Sequence, residues 1–127
     1  MLRSDAVRRL ILGIAAVVFV LIATQAILRP DQLLLGRHLD GIDSYNEFRA
    51  IYLGLWLATA VLLVIAAQRI REPVLGDLGA LLILGQVFGR IVSLLADGVP
   101  GPRVWGIFML ELVGGAAILV VRPSRGT

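Results

Sequence analysis

Four apolar runs, each long enough as a helix to cross the hydrocarbon core of a bilayer, constrain this chain more than any other feature. Residues 10–28, 50–67, 78–96 and 104–121 hold 18 or 19 residues each, and each is bounded by Arg, Asp or Gln. At 1.5 Å per residue such a run spans roughly 27–29 Å, against a core of about 30 Å. Lipid offers the backbone no hydrogen-bond partners, and four short runs cannot close a barrel, so the runs must be helices. The expected fold class is all-α: an integral membrane four-helix bundle in a single membrane domain, 1–127. Composition agrees, with 58% hydrophobic and 17% charged residues and a mean hydropathy of +0.90. Soluble domains carry about 25% charged residues. Arg8 and Arg9 ahead of the first run also fit a signal peptide, but 19 residues exceed the usual 7–15-residue apolar region, and four retained helices are expected.

The charges give the orientation. All twelve basic residues are Arg, and they are scattered between runs rather than gathered into a nucleic-acid-binding surface. Arg3, Arg8, Arg9, Arg69, Arg71, Arg122 and Arg125 fall on one side of the bundle, Arg29, Arg37, Arg49 and Arg103 on the other. The positive-inside rule then predicts both termini on the cytoplasmic side. The outer connection, 29–46, is the long one. Leu33, Leu34 and Leu35 in it can rest on the membrane surface, and His38 reads as a solvated loop residue. With a single His and no Cys there is no metal site to expect. Ser44 and Glu47 fit a capping box that opens the second helix.

Ionisable residues inside a span are functional candidates by default. Arg90 lies seven residues before Asp97 and Glu111 eight residues after Arg103, so antiparallel neighbours bring them to nearly the same depth, roughly 10–12 Å from their shared turn. Pairing is expected. Gln86, Arg90, Ser93 and Asp97 form an i, i+4, i+7, i+11 stripe on the third helix. On the second, Arg49, Tyr52 and Trp56 follow at i, i+3 and i+7, and Gln25 lies one turn inside the first. These residues predict a polar pocket in the outer half of the bundle, above plain hydrocarbon. Gly54, Gly85, Gly89, Gly114 and Gly115 are the candidate packing glycines, Gly85 and Gly89 forming a GxxxG. Two roles fit the Arg90–Glu111 pair: a lock that holds helices in register, or the centre of a ligand site.

Glu47-Phe48-Arg49-Ala50-Ile51-Tyr52-Leu53-Gly54, Gly89-Arg90-Ile91-Val92-Ser93, Asp97-Gly98-Val99-Pro100 and Glu111 resemble the bacterial family of small four-helix membrane proteins known as domain of unknown function 4345, over roughly residues 10–121. The family pattern carries two glycines after the tyrosine, whereas Leu53 precedes Gly54 here, which loosens the expected close approach. The resemblance implies a multi-pass protein of the bacterial cytoplasmic (inner) membrane and supplies no activity.

The reading that follows is a non-enzymatic membrane protein without cofactor. Arg49, Tyr52, Trp56, Gln86, Arg90, Ser93 and Glu111 would bind a lipid-like ligand or partner helices, or the chain would serve as accessory subunit of a membrane complex. Its expected partners are membrane lipids, other membrane subunits or further copies of itself. The alternative is a small proton-coupled transporter using Glu111. A lipid-modifying enzyme comes third, because Ser93 has no His partner and its Asp97 neighbour makes a poor dyad.

Overall fold

The structure, a computed structural model, describes residues 2–30 and 39–125. Four long helices make it up: α1 (Asp5–Leu28), α2 (Gly41–Gln68), α3 (Pro73–Asp97) and α4 (Pro102–Val120). Each is long and apolar enough to cross a membrane. They begin earlier than the apolar runs because local signals start them. The Ser4 hydroxyl accepts the Val7 N–H at 3.3 Å and caps α1, while Pro73 and Pro102 occupy the first turns of α3 and α4. Gly98 ends α3 at φ +98°, a conformation that strains any residue with a side chain.

The start of α2 corrects an expectation. The helix opens at Gly41, whose φ of +79° turns the chain into it, with Asp43 favouring the first turn. Ser44 and Glu47 therefore sit inside the helix, and they form no capping box. Residues 41–46, expected in the outer connection, are helical. Leu33, Leu34, Leu35 and His38 lie outside the described residues.

The middle of α2, Ala50–Leu55, is a π-helical turn between two α-helical segments. Its wider winding changes which residues share a face. Phe48, Tyr52 and Trp56 line up, with ring centroids 4.7 and 5.2 Å apart, and Phe19 of α1 meets Trp56 edge-on at 5.2 Å. Elsewhere the α1–α2 seam closes on small residues, among them Ala16, Ala60 and Ala66, which let the backbones approach.

The helices pack in chain order, α1 on α2 and α3 on α4 most extensively, with α2 and α3 between them. The contact that would complete the ring, α1 on α4, is much the sparsest. Both termini meet at one end, where β1 (Leu2–Arg3) and β2 (Val121–Arg122) pair in parallel. The outward surface is apolar. Leu95 is 83% exposed and Phe88 69%, and no more than 28% of the residues in any spanning window are buried. Such a surface is costly in water and matches lipid.

Candidate functional site

Arg90 and Glu111 meet across the α3–α4 interface. Arg90 Nε donates to Glu111 Oε2 at 2.7 Å and Nη2 donates to Oε1 at 3.0 Å, a two-pronged pairing that uses both carboxylate oxygens. The geometry follows from the hairpin: Asp97 and Pro102 bound a short turn, and the two residues lie at similar distances from it. The third Arg90 nitrogen, Nη1, keeps its two hydrogens for another partner.

The pair stands in the wall of a cavity of about 1300 Å³. Gln86, Ser93 and Gly89 share the α3 wall, Gly114 the α4 wall, Tyr52 and Trp56 the α2 wall, and Gln25 lies on α1. At the end away from the termini, Gly98, Pro100, Gly101 and Arg103 frame it. Most of the α1 wall is hydrocarbon, running from Ile11 through Ile14, Val18 and Phe19 to Ile22. One wall is therefore polar and the facing one apolar. Ser93 Oγ donates to Asp97 Oδ2 at 3.1 Å, so this hydroxyl is turned toward the turn between α3 and α4.

Several expected residues fall elsewhere. Arg49 does not line the cavity; it is exposed, with its guanidinium 5.7 Å above the Tyr45 ring. The i, i+3, i+7 stripe assumed 3.6 residues per turn, and the π-helical turn puts Phe48 on that face instead. Gly85 has open space where a Cβ would stand, so the GxxxG packs against no helix among the described residues, and Gly89 and Gly114 border the cavity. Gly54 makes only ordinary contact, with the Arg49 carbonyl at 3.8 Å. Close packing falls on Gly115, whose Cβ would lie 2.7 Å from Leu84 Cδ2, and on Gly79, whose Cβ would lie 2.6 Å from Leu63 Cδ2.

The opposite end is not plain hydrocarbon. Arg8 is 1% exposed, and its Nη1 donates to the carbonyls of Ile118 and Val121, at 2.5 and 2.8 Å. Its Nη2 donates to the Pro73 carbonyl at 3.0 Å and to Asp77 Oδ1 at 3.2 Å. Arg122 also donates to Asp77, and Gly76 leaves room for the Arg8 guanidinium where a Cβ would collide with it. Ser124 completes the tie to the N-terminus, its N–H donating to Asp5 Oδ1 at 2.7 Å and its hydroxyl to Oδ2 at 2.9 Å. This clasp joins α1, α3 and the end of α4. Sequence reasoning missed it by taking Arg8 and Arg122 as flanking charges and Asp77 as a boundary. Gly76 beside Asp77 was the available signal. The aromatic residues Trp105 and Phe108, which also line the cavity, were missed because periodicity alone does not separate them from lipid-facing residues.

Neither the curated proteins nor the solved structures contain a match to the chain. A family model, described as Domain of unknown function (DUF4345), matches residues 7–122, a stretch that takes in Arg8, Asp77 and Arg122 of the clasp, the cavity walls and the Arg90–Glu111 pair. With nearly its whole length matched, the chain belongs to that family.

Proposed function

We propose that the protein is a non-enzymatic, multi-pass protein of the bacterial cytoplasmic membrane that holds an amphiphile in the cavity beside Arg90 and Glu111. One observation carries the reading: a cavity of about 1300 Å³ with hydrogen-bonding side chains on one wall and aliphatic ones on the other. The volume exceeds the roughly 300–1,000 Å³ usual for small-ligand pockets and suits a molecule with a long apolar part. Its head would meet Arg90 Nη1, Gln86 and Ser93, while its chain lies along Ile14, Val18 and Ile22. Glu111 is the one carboxylate among the described lining residues, and both its oxygens are held by Arg90. That engagement favours binding over proton exchange or general-base chemistry, because the carboxylate, 9% exposed and paired through both oxygens, offers little approach to a water or substrate.

Gly114 supplies the test. It borders the cavity and a Cβ there meets nothing within 4 Å, so Gly114→Leu sets a bulky side chain into the cavity one turn from Glu111. Gly85→Leu, equally open but outside the cavity, is the control. Protein purified from membranes in mild detergent and weighed by native mass spectrometry should carry a bound amphiphile. The amount should fall at least about tenfold in Gly114→Leu and hold in Gly85→Leu, with both variants melting as cooperatively as the parent. Equal loading of Gly114→Leu and the parent would reject the cavity as the binding site.

A further inference from the structure

The cavity has a side as well as an end, and that side is the thinly packed seam between α1 and α4. We infer that the seam is a lateral doorway, hinged at the Arg8 clasp, through which a bilayer lipid enters chain-first from the surrounding leaflet; the inference rests on the binding role proposed above. Three observations converge on it. The first is where the bundle is closed: α1 and α4 are joined at the terminal end by the β1–β2 pair and by Arg8 donating to the Ile118 and Val121 carbonyls. Contact between the two helices is sparse, in contrast to the extensive packing within the α1–α2 and α3–α4 pairs.

The second observation is the chemistry of the two edges. Ile14 on α1 and Leu110 on α4 both line the cavity and are 56% and 59% exposed. Side chains that line a space and keep more than half of their surface uncovered are not packed against a facing helix. Both edges are aliphatic, so what lies outside them is hydrocarbon. A passage for a water-borne solute would need polar groups along it.

Length is the third. The α1 wall runs from Ile11 to Gln25, fourteen helical steps or roughly 21 Å. A single leaflet contributes about half of a hydrocarbon core of about 30 Å. A lipid chain in the surrounding leaflet therefore lies alongside the apolar wall over its whole length. It can move sideways past Ile14 and Leu110 without its chain meeting water. The head follows to the level of Gln86, Arg90 and Ser93. Arg90 and Glu111 cancel each other's charge, and Arg103 at the frame leaves one positive charge over, so the occupant is a lipid with a phosphate in its head, such as a phosphatidylcholine.

The chain's two tryptophans and lack of cysteine make the doorway measurable. Trp105→Phe leaves Trp56, 7% exposed and lining the cavity, as the sole indole. Ile14→Cys with Leu110→Cys adds the only two thiols, which bifunctional thiol reagents of graded length can bridge across the seam. The protein is reconstituted into phosphatidylcholine vesicles with or without bromine on the acyl chains. Brominated chains should cut Trp56 emission at least about twofold in the unbridged protein, and bridging should restore most of it. Aqueous iodide should have little effect in either form. Quenching that persists unchanged after bridging would overturn lateral entry and leave the binding reading standing. Quenching by iodide with no response to brominated chains would mean the cavity fills from water, and would overturn the lipid occupant as well.

Discussion

Arg90 and Glu111 show what single residues reveal in such a chain. An ion pair within a span is legible because two charges in opposite helices at equal distance from a short turn have few other places to go. Arg8 was not legible, since Arg8 and Arg9 are chemically identical neighbours and only the fold turns one inward and leaves the other exposed. Arg49 misled for a different reason: its apparent stripe crossed a π-helical turn that no residue type announces. The pair itself makes an asymmetric prediction. A carboxylate that loses its partner can discharge itself by taking up a proton, whereas a guanidinium cannot. Glu111→Ala strands a permanent charge inside a spanning helix and should cost about 3 kcal/mol, the lower end of what breaking a buried pair costs, because the Arg90 side chain is 28% exposed. Arg90→Ala should cost less. The double substitution should recover about 1–2 kcal/mol relative to the sum of the singles. Thermal melting in detergent of the three variants measures this, and strictly additive losses would show that the two side chains are not coupled.

At the scale of elements, the four helices were legible from run length and bounding charges, because hydrocarbon thickness sets a length that few other constraints do. Their packing was not, because a glycine in an apolar run looks the same whether it faces a neighbour, a cavity or lipid. Gly85 and Gly89 carry the recognisable motif, yet Gly79 and Gly115 carry the close contacts. The difference is testable by adding one methyl group. Gly79→Ala and Gly115→Ala should each lower the melting temperature, since leucine side chains already occupy the space and must shift. Gly85→Ala meets nothing and removes an entropic cost, so it should stabilise by about 0.5–1 kcal/mol. Destabilisation by Gly85→Ala, with a change in oligomer size on native gels, would instead identify the GxxxG as a contact between copies of the chain.

For the whole molecule, the clasp and the orientation draw on the same arginines at different times. Orientation is chosen during insertion, when the chain is unfolded and every Arg near a helix end counts whatever it later binds. At that stage the terminal end carries seven, against Arg29, Arg37, Arg49 and Arg103 on the other. Afterwards Arg8 and Arg122 are drawn into the cluster around Asp77, and the end that held the bias is also the end that is locked. Substitutions should therefore separate the two jobs. Arg8→Leu leaves six against four, so it should preserve orientation while destabilising the fold through three unpaired carbonyls, those of Ile118, Val121 and Pro73. Arg69→Gln with Arg71→Gln should do the reverse. These two side chains lie outside the clasp, but five against four nearly abolishes the bias, and a mixed population of orientations should result. The chain's lack of cysteine provides the readout. In intact cells a membrane-impermeant maleimide should label Val99→Cys, at the turn between α3 and α4, and should reach Glu72→Cys only after permeabilisation. Both sites should label partially in the double glutamine variant. Labelling of Glu72→Cys but not Val99→Cys in otherwise unaltered protein would place both termini outside and reverse the side from which Arg103 and Pro100 frame the cavity.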